Sequence, residues 1–304
     1  MKKFVLVVTL FWMFFFGIIG GIRFSWLHFA PNFMAKNFIS PETHTIVLGP
    51  SNGLYAWNDS IIPHSRNLCM QGNSLGSCYS MLKRVVECND SQIDTVVLCA
   101  SAVAMAYYHD GIKNYLLKHH DEDIRNIFNQ DVFFEHYKNE PEYWKIAFTT
   151  IPIRSYKLGV EGCYSYLERD KLDHPHLYDS FNEVMELAGG GKDDVTEGFL
   201  REHCKYQIDN LLLIKHYCDE HGKTLILLTP PVYKIPDMMS DKGYYELICH
   251  ELGDSTLVAD YSRMNLPKNY YADLEHVNFR GARVFSEEIA RDGLKVEYAI
   301  DYCK

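Results

Sequence analysis

Two short fragments of this chain carry side chains that could act together on an ester or acyl group. In Leu48-Gly49-Pro50-Ser51-Asn52-Gly53 a serine follows a β-branched run and a turn, so its hydroxyl is carried to a strand's carboxyl end. A nucleophile is useful there, because the amides after the turn can face a developing oxyanion. In Tyr271-Ala272-Asp273-Leu274-Glu275-His276-Val277-Asn278, Asp273 and His276 stand three residues apart. That spacing lets the carboxylate take the Nδ1 proton within one local turn and leaves Nε2 free to accept a proton from a serine elsewhere. Ser51, His276 and Asp273 are thus the candidate nucleophile, base and orienting acid. Each fragment alone has a plainer reading: a helix N-cap for Ser51, and a loop histidine satisfied by a nearby carboxylate with Asn278 as the next cap.

Other suggestive residues give less. His119-His120-Asp121-Glu122-Asp123 is read as a solvated charged segment, since consecutive residues rarely converge on one ion, and His174 and His176 as a surface loop. The nine cysteines are scattered with no C-x-x-C pair, so no zinc or redox motif is present, and neither a metal nor a cofactor is expected. A formal charge of -10 argues against a binder of nucleic acid, which needs clustered Lys and Arg to displace counterions.

The elements that would position the fragments follow from periodicity. Residues 44–49, 95–100 and 224–229 are compact apolar or β-branched runs that read as buried strands, with further strands near 67–70 and 256–259. Helical spacing marks residues 77–88, 199–221 (closed by Gly222) and 278–290. Strands alternating with helices imply an α/β fold, a three-layer α/β/α sandwich around a mostly parallel, flavodoxin-like sheet, with ligands at the strands' carboxyl ends. Residues 102–196 lose regular β content and read as a helical insertion forming a cap or wall.

At the N-terminus, Lys2 and Lys3 precede an apolar stretch over residues 4–22, near the roughly 20 residues that span a bilayer. An uncleaved anchor is favoured over a cleaved signal, since no good small-x-small site follows. The positive-inside rule then places the rest outside the cytoplasmic membrane. The expected organisation is a membrane segment over 1–30, a linker over 31–44 and one domain over 45–304.

Together these residues resemble the SGNH (GDSL-like) hydrolase and acyltransferase superfamily, whose nucleophile follows the first strand and whose Asp-x-x-His precedes the last helix. The resemblance runs over most of residues 45–290. It implies that Gly72 supplies an oxyanion-hole amide beside that of Ser51, with Asn73 or Ser101 as candidate substitutes for the family's side-chain donor. Thr229-Pro230-Pro231-Val232-Tyr233 and the His-x-Asn-x-x-Gly-Ala ending are most similar to the divergent cell-envelope branch. That branch implies an extracytoplasmic serine esterase or O-acyltransferase acting on an acylated carbohydrate or small ester, with a membrane-bound acyltransferase as candidate partner. Two departures stand out: Gly-Pro-Ser replaces Gly-Asp-Ser, and Cys99-Ala100-Ser101-Ala102 replaces the Gly-x-Asn-Asp block. They keep open the alternative of a catalytically inactive glycan-binding or assembly partner.

Overall fold

A computed structural model describes residues 2–37, 39–70, 73–102, 105, 196–233, 242–273 and 275–303; for 19, 20 and 22–37 it describes the backbone alone. The insertion expected over 102–196 therefore lies almost wholly outside the described residues.

Among the described residues six strands form one sheet in the order β2-β1-β3-β4-β5-β6. They are β1 (Thr45–Leu48), β2 (Ser65–Asn67), β3 (Thr95–Cys99), β4 (Thr224–Thr229), β5 (Leu257–Asp260) and β6 (Glu297–Tyr298). All pairings are parallel except that of β6 with β5. The order reverses between β1 and β3, which is where doubly wound sheets open a crevice for ligands.

The sheet is covered on both faces, and the period-two alternation of the strands decides which side chain goes where. Ile46, Leu48, Val96, Leu98, Leu225 and Leu227 point to one face, packed by α3 (Leu75–Asn89), α5 (Lys205–Glu220) and α6 (Lys242–Leu252). Val47, Val97, Cys99, Ile226 and Leu228 point to the other, packed by α2 (Ser51–Ala56) and α7 (Phe279–Asp292). Strands buried on both faces need continuous apolar runs, which is why TIVL, TVVLC and TLILLT are so legible.

The long helix expected over 199–221 is two helices, α4 (Glu197–His203) and α5, parted at Cys204, whose φ of -121° and ψ of 28° leave the helical region. α5 stops as expected: Gly222 takes φ +62°, and the Lys223 N–H closes back on the Cys218 carbonyl.

The N-terminal helix α1 spans Lys2–Asn37, so residues 31–37 of the expected linker are helical, in keeping with helix formers Met34, Ala35 and Lys36. Ile39 is buried in the core, and the Gln92 side chain donates to the Thr43 carbonyl, so the chain docks onto the domain immediately after α1. From Phe4 to Ile18 α1 exposes apolar side chains, Phe4 at 72% and Phe14 at 69%. Among the described residues no helix is long and apolar enough to cross a membrane, the described side chains of α1 ending at Ile18 apart from Gly21.

Candidate active site

The turn after β1 sets the serine. Gly49 has φ +149°, and a Cβ there would meet the Cys99 Cβ at 2.5 Å, so position 49 excludes a side chain on two grounds. The tight approach of this turn to the end of β3 delivers Ser51 as the first residue of α2, whose N–H has no intrahelical acceptor. α2 is then held from behind. The buried Asn67 donates through Nδ2 to the Trp57 carbonyl at 2.7 Å and accepts from the Cys69 N–H at 3.0 Å. Ser286 of α7 donates to the Ala56 carbonyl at 3.1 Å and accepts from the Asn58 N–H at 3.0 Å, tying α2 to α7.

The second fragment is a closed loop in front of α7. Tyr271 and Val277 form an isolated antiparallel bridge, and the Ala272 N–H donates to the His276 carbonyl. Asn278 does three jobs: its Oδ1 caps α7 by accepting from the Arg280 N–H, its Nδ2 donates to the Asn269 carbonyl at 2.8 Å, and its own N–H donates to the Tyr270 carbonyl. Tyr233, in the segment after β4, packs edge-on against Tyr271 with centroids 5.4 Å apart, so loops from three strand ends converge here.

The result is a continuous relay. His276 Nε2 lies 2.8 Å from Ser51 Oγ, and His276 Nδ1 lies 2.8 Å from Asp273 Oδ1. The same Oδ1 accepts from the Glu275 and His276 N–H groups at 2.9 and 2.8 Å, so the carboxylate cannot swing away without losing three bonds. Burial opposes ionisation of Asp273, but the His276 hydrogen bond and charge and the two amides outweigh it and hold the carboxyl below its ordinary value. The neighbouring Glu275 goes the other way: burial pushes its carboxyl up, against the pull of His276 and with the repulsion of Asp273. Two carboxyls two residues apart are thus set for opposite protonation behaviour, and Asp273 is the one bonded to the imidazole.

Of the expected oxyanion donors, the Ser51 amide stands at the helix start with no intrahelical partner. Gly72 lies outside the described residues. Asn73 is buried, but its N–H donates to the Met70 carbonyl and its Nδ2 lies 3.4 Å from Cys78 Sγ, toward α3; its Oδ1 has no partner among the described residues. Tyr55 went unnoticed in the sequence: its ring sits edge-on to the His276 ring, centroids 5.4 Å apart. The signal was its place four residues after Ser51, on the same helix face. Burial raises its phenol, and the Asp273 charge adds to that. Among the described residues no cluster of His, Cys, Asp or Glu could hold a metal.

A serine hydroxyl in contact with a carboxylate-oriented imidazole can lose its proton as it attacks a carbonyl carbon, which is the chemistry of acyl transfer. No protein-family model matches this chain, and no curated protein sequence matches it.

Proposed function

We propose that this protein is a membrane-tethered, extracytoplasmic serine esterase or O-acyltransferase of the SGNH type, acting on an acylated carbohydrate or cell-envelope glycan. The observation that carries the proposal is the Ser51–His276–Asp273 relay, with both heavy-atom contacts at 2.8 Å. The strand order and the site's position beside the β1/β3 switch point support it.

Ser51 Oγ attacks the ester carbonyl carbon while His276 Nε2 takes its proton. The oxyanion is met by the Ser51 amide. As the carbonyl re-forms, the alcohol leaves with the proton from His276, and the acyl group stays on Ser51. Water or a sugar hydroxyl, deprotonated by the same imidazole, then takes the acyl group and frees the serine.

The tether is the apolar run over residues 4–22, and the lipid-facing reading of α1 is supported by the exposure of Phe4, Phe11, Phe14 and Phe16, since a continuous apolar helix surface of that size is not left in water. The experiment has two arms. Turnover of an aryl acetate, with and without an oligosaccharide acceptor, separates hydrolysis from transfer: acetyl-oligosaccharide in the products marks a transferase. Protease treatment of intact and permeabilised cells places the domain. A domain protected in intact spheroplasts overturns the extracytoplasmic placement, and a folded protein that binds glycan equally well with Ser51→Ala but turns over no ester overturns the enzyme in favour of a binding partner.

A further inference from the structure

Away from the relay, the segment after β6 folds back on α6. The Ala299 N–H donates to the Thr256 carbonyl and the Ile300 N–H to the Asp254 carbonyl, and Ala299 is fully buried. Tyr302 stacks on Tyr245 of α6, centroids 4.5 Å apart and planes 26° from parallel. β6, only two residues long, pairs with β5 at the sheet's edge just before this turn. These contacts fix Cys303 against Cys249: the two sulfurs are 2.8 Å apart, both side chains half-buried, and Cys303 Sγ also lies 3.5 Å from the Ala299 carbonyl. A covalent bond needs less than about 1 Å of further approach. Among the described residues a second pair, Cys69 and Cys99, is fully buried with its sulfurs 4.0 Å apart beneath α2.

We propose that Cys249 and Cys303 are joined by a disulfide in the working protein, a staple that locks the short edge strand and its following turn onto α6. The proposal rests on the extracytoplasmic placement for its oxidising surroundings. The oxidant is an oxidised dithiol carrier protein. Burial, together with the neighbouring sulfur, pushes the Cys249 thiol up to about 12. The Cys303 thiolate attacks one carrier sulfur and displaces the other as thiolate. Cys249 then gives up its proton, attacks the Cys303 sulfur and displaces the carrier's second thiolate. One Sγ–Sγ bond forms, two electrons pass to the carrier, and the two protons given up by the protein thiols end on its sulfurs.

The test is peptide mapping of the full-length chain from its own membrane, alkylated before reduction, alongside protease topology of the same cells. A linked Cys249–Cys303 peptide, with Cys69 and Cys99 alkylated, is the expected result. Reduction should lower Tm by on the order of 10 °C, and Cys303→Ser should lower it equally and no longer respond to reductant. A domain outside the membrane whose Cys249 and Cys303 are both alkylated overturns the staple and leaves the placement standing. If the domain is cytoplasmic, placement and staple in the cell both fall, and failure of the purified folded protein to close this pair with an oxidised dithiol carrier overturns the geometry as well.

Discussion

His276 and Ser51 lie 225 positions apart in the chain, yet His276 Nε2 is 2.8 Å from Ser51 Oγ. The contact is made by two independent supports. The β1 turn, pressed against β3 at Gly49, presents the serine; the loop closed by the Tyr271–Val277 bridge presents the imidazole. Ser286 links the helices behind them, so the gap is set by packing rather than by the reacting groups themselves.

Asp273→Asn should fold and lose most activity, by roughly 10,000-fold if it behaves like the same change in a serine protease triad, because an amide can hold the wrong tautomer and cannot stabilise the imidazolium. It should also change the acid limb of stability. The Asp273 carboxyl is held below its ordinary 3.8, so the folded state binds that proton less readily than the unfolded chain. Its contribution is complete above about pH 4 and is lost as pH falls through the folded value. Thermal melts from pH 5 to 2.5 should therefore be flatter for Asp273→Asn than for wild type. Parallel curves would mean that this carboxylate is not held by its partners.

Glu275→Gln should do the reverse. The raised carboxyl is destabilising once ionised, so its favourable contribution is present below the ordinary 4.5 and lost as pH rises through the folded value. Removing the charge should raise Tm at pH 7–8, with the gain vanishing near pH 4. Activity should change far less than in Asp273→Asn, because the Nδ1 bond goes to Asp273. A Glu275→Gln protein as inactive as Asp273→Asn would make Glu275 the orienting acid.

Asn278→Ala removes an N-cap and leaves the Asn269 carbonyl without its donor, a loss of about 2–3 kcal/mol. Urea unfolding should report it, and kcat should fall more than KM rises, since the loop that carries Asp273 and His276 is loosened. Unchanged stability would contradict the role assigned to this side chain.

Much of this was legible in the sequence, for a physical reason. Strands of a doubly covered parallel sheet are apolar throughout, so residues 224–229 coincide with β4, and the runs at 44–49 and 95–100 overshoot β1 and β3 by a residue or two. β2 begins two residues before the strand expected near 67–70, because its sequence, Ser-Arg-Asn, has no apolar signature; Asn67 is buried through hydrogen bonds instead. The six-residue α2 is too short to carry a periodic signal, and its Gly53 is there because a Cβ would meet the sulfurs of Cys69 and Cys99. The break at Cys204 and the edge strand β6 leave no periodic trace at all. In the site, Ser51, Asp273 and His276 could be named as candidates only from the turn after β1, the three-residue Asp–His spacing and the family resemblance taken together. The contact of Tyr55 with His276 could not, since it depends on how α2 faces the loop.

Whether His276 activates Ser51 is decided by covalent labelling with a fluorophosphonate, mapped by mass spectrometry. A serine hydroxyl is a poor nucleophile at neutral pH without a base, so adduct formation reports the assembled relay rather than the serine alone. The expected result is a single adduct on Ser51, unchanged in Ser101→Ala and lost in His276→Ala while the fold, followed by circular dichroism, persists. An adduct on a different serine, or a folded wild-type protein that takes no label, would contradict it.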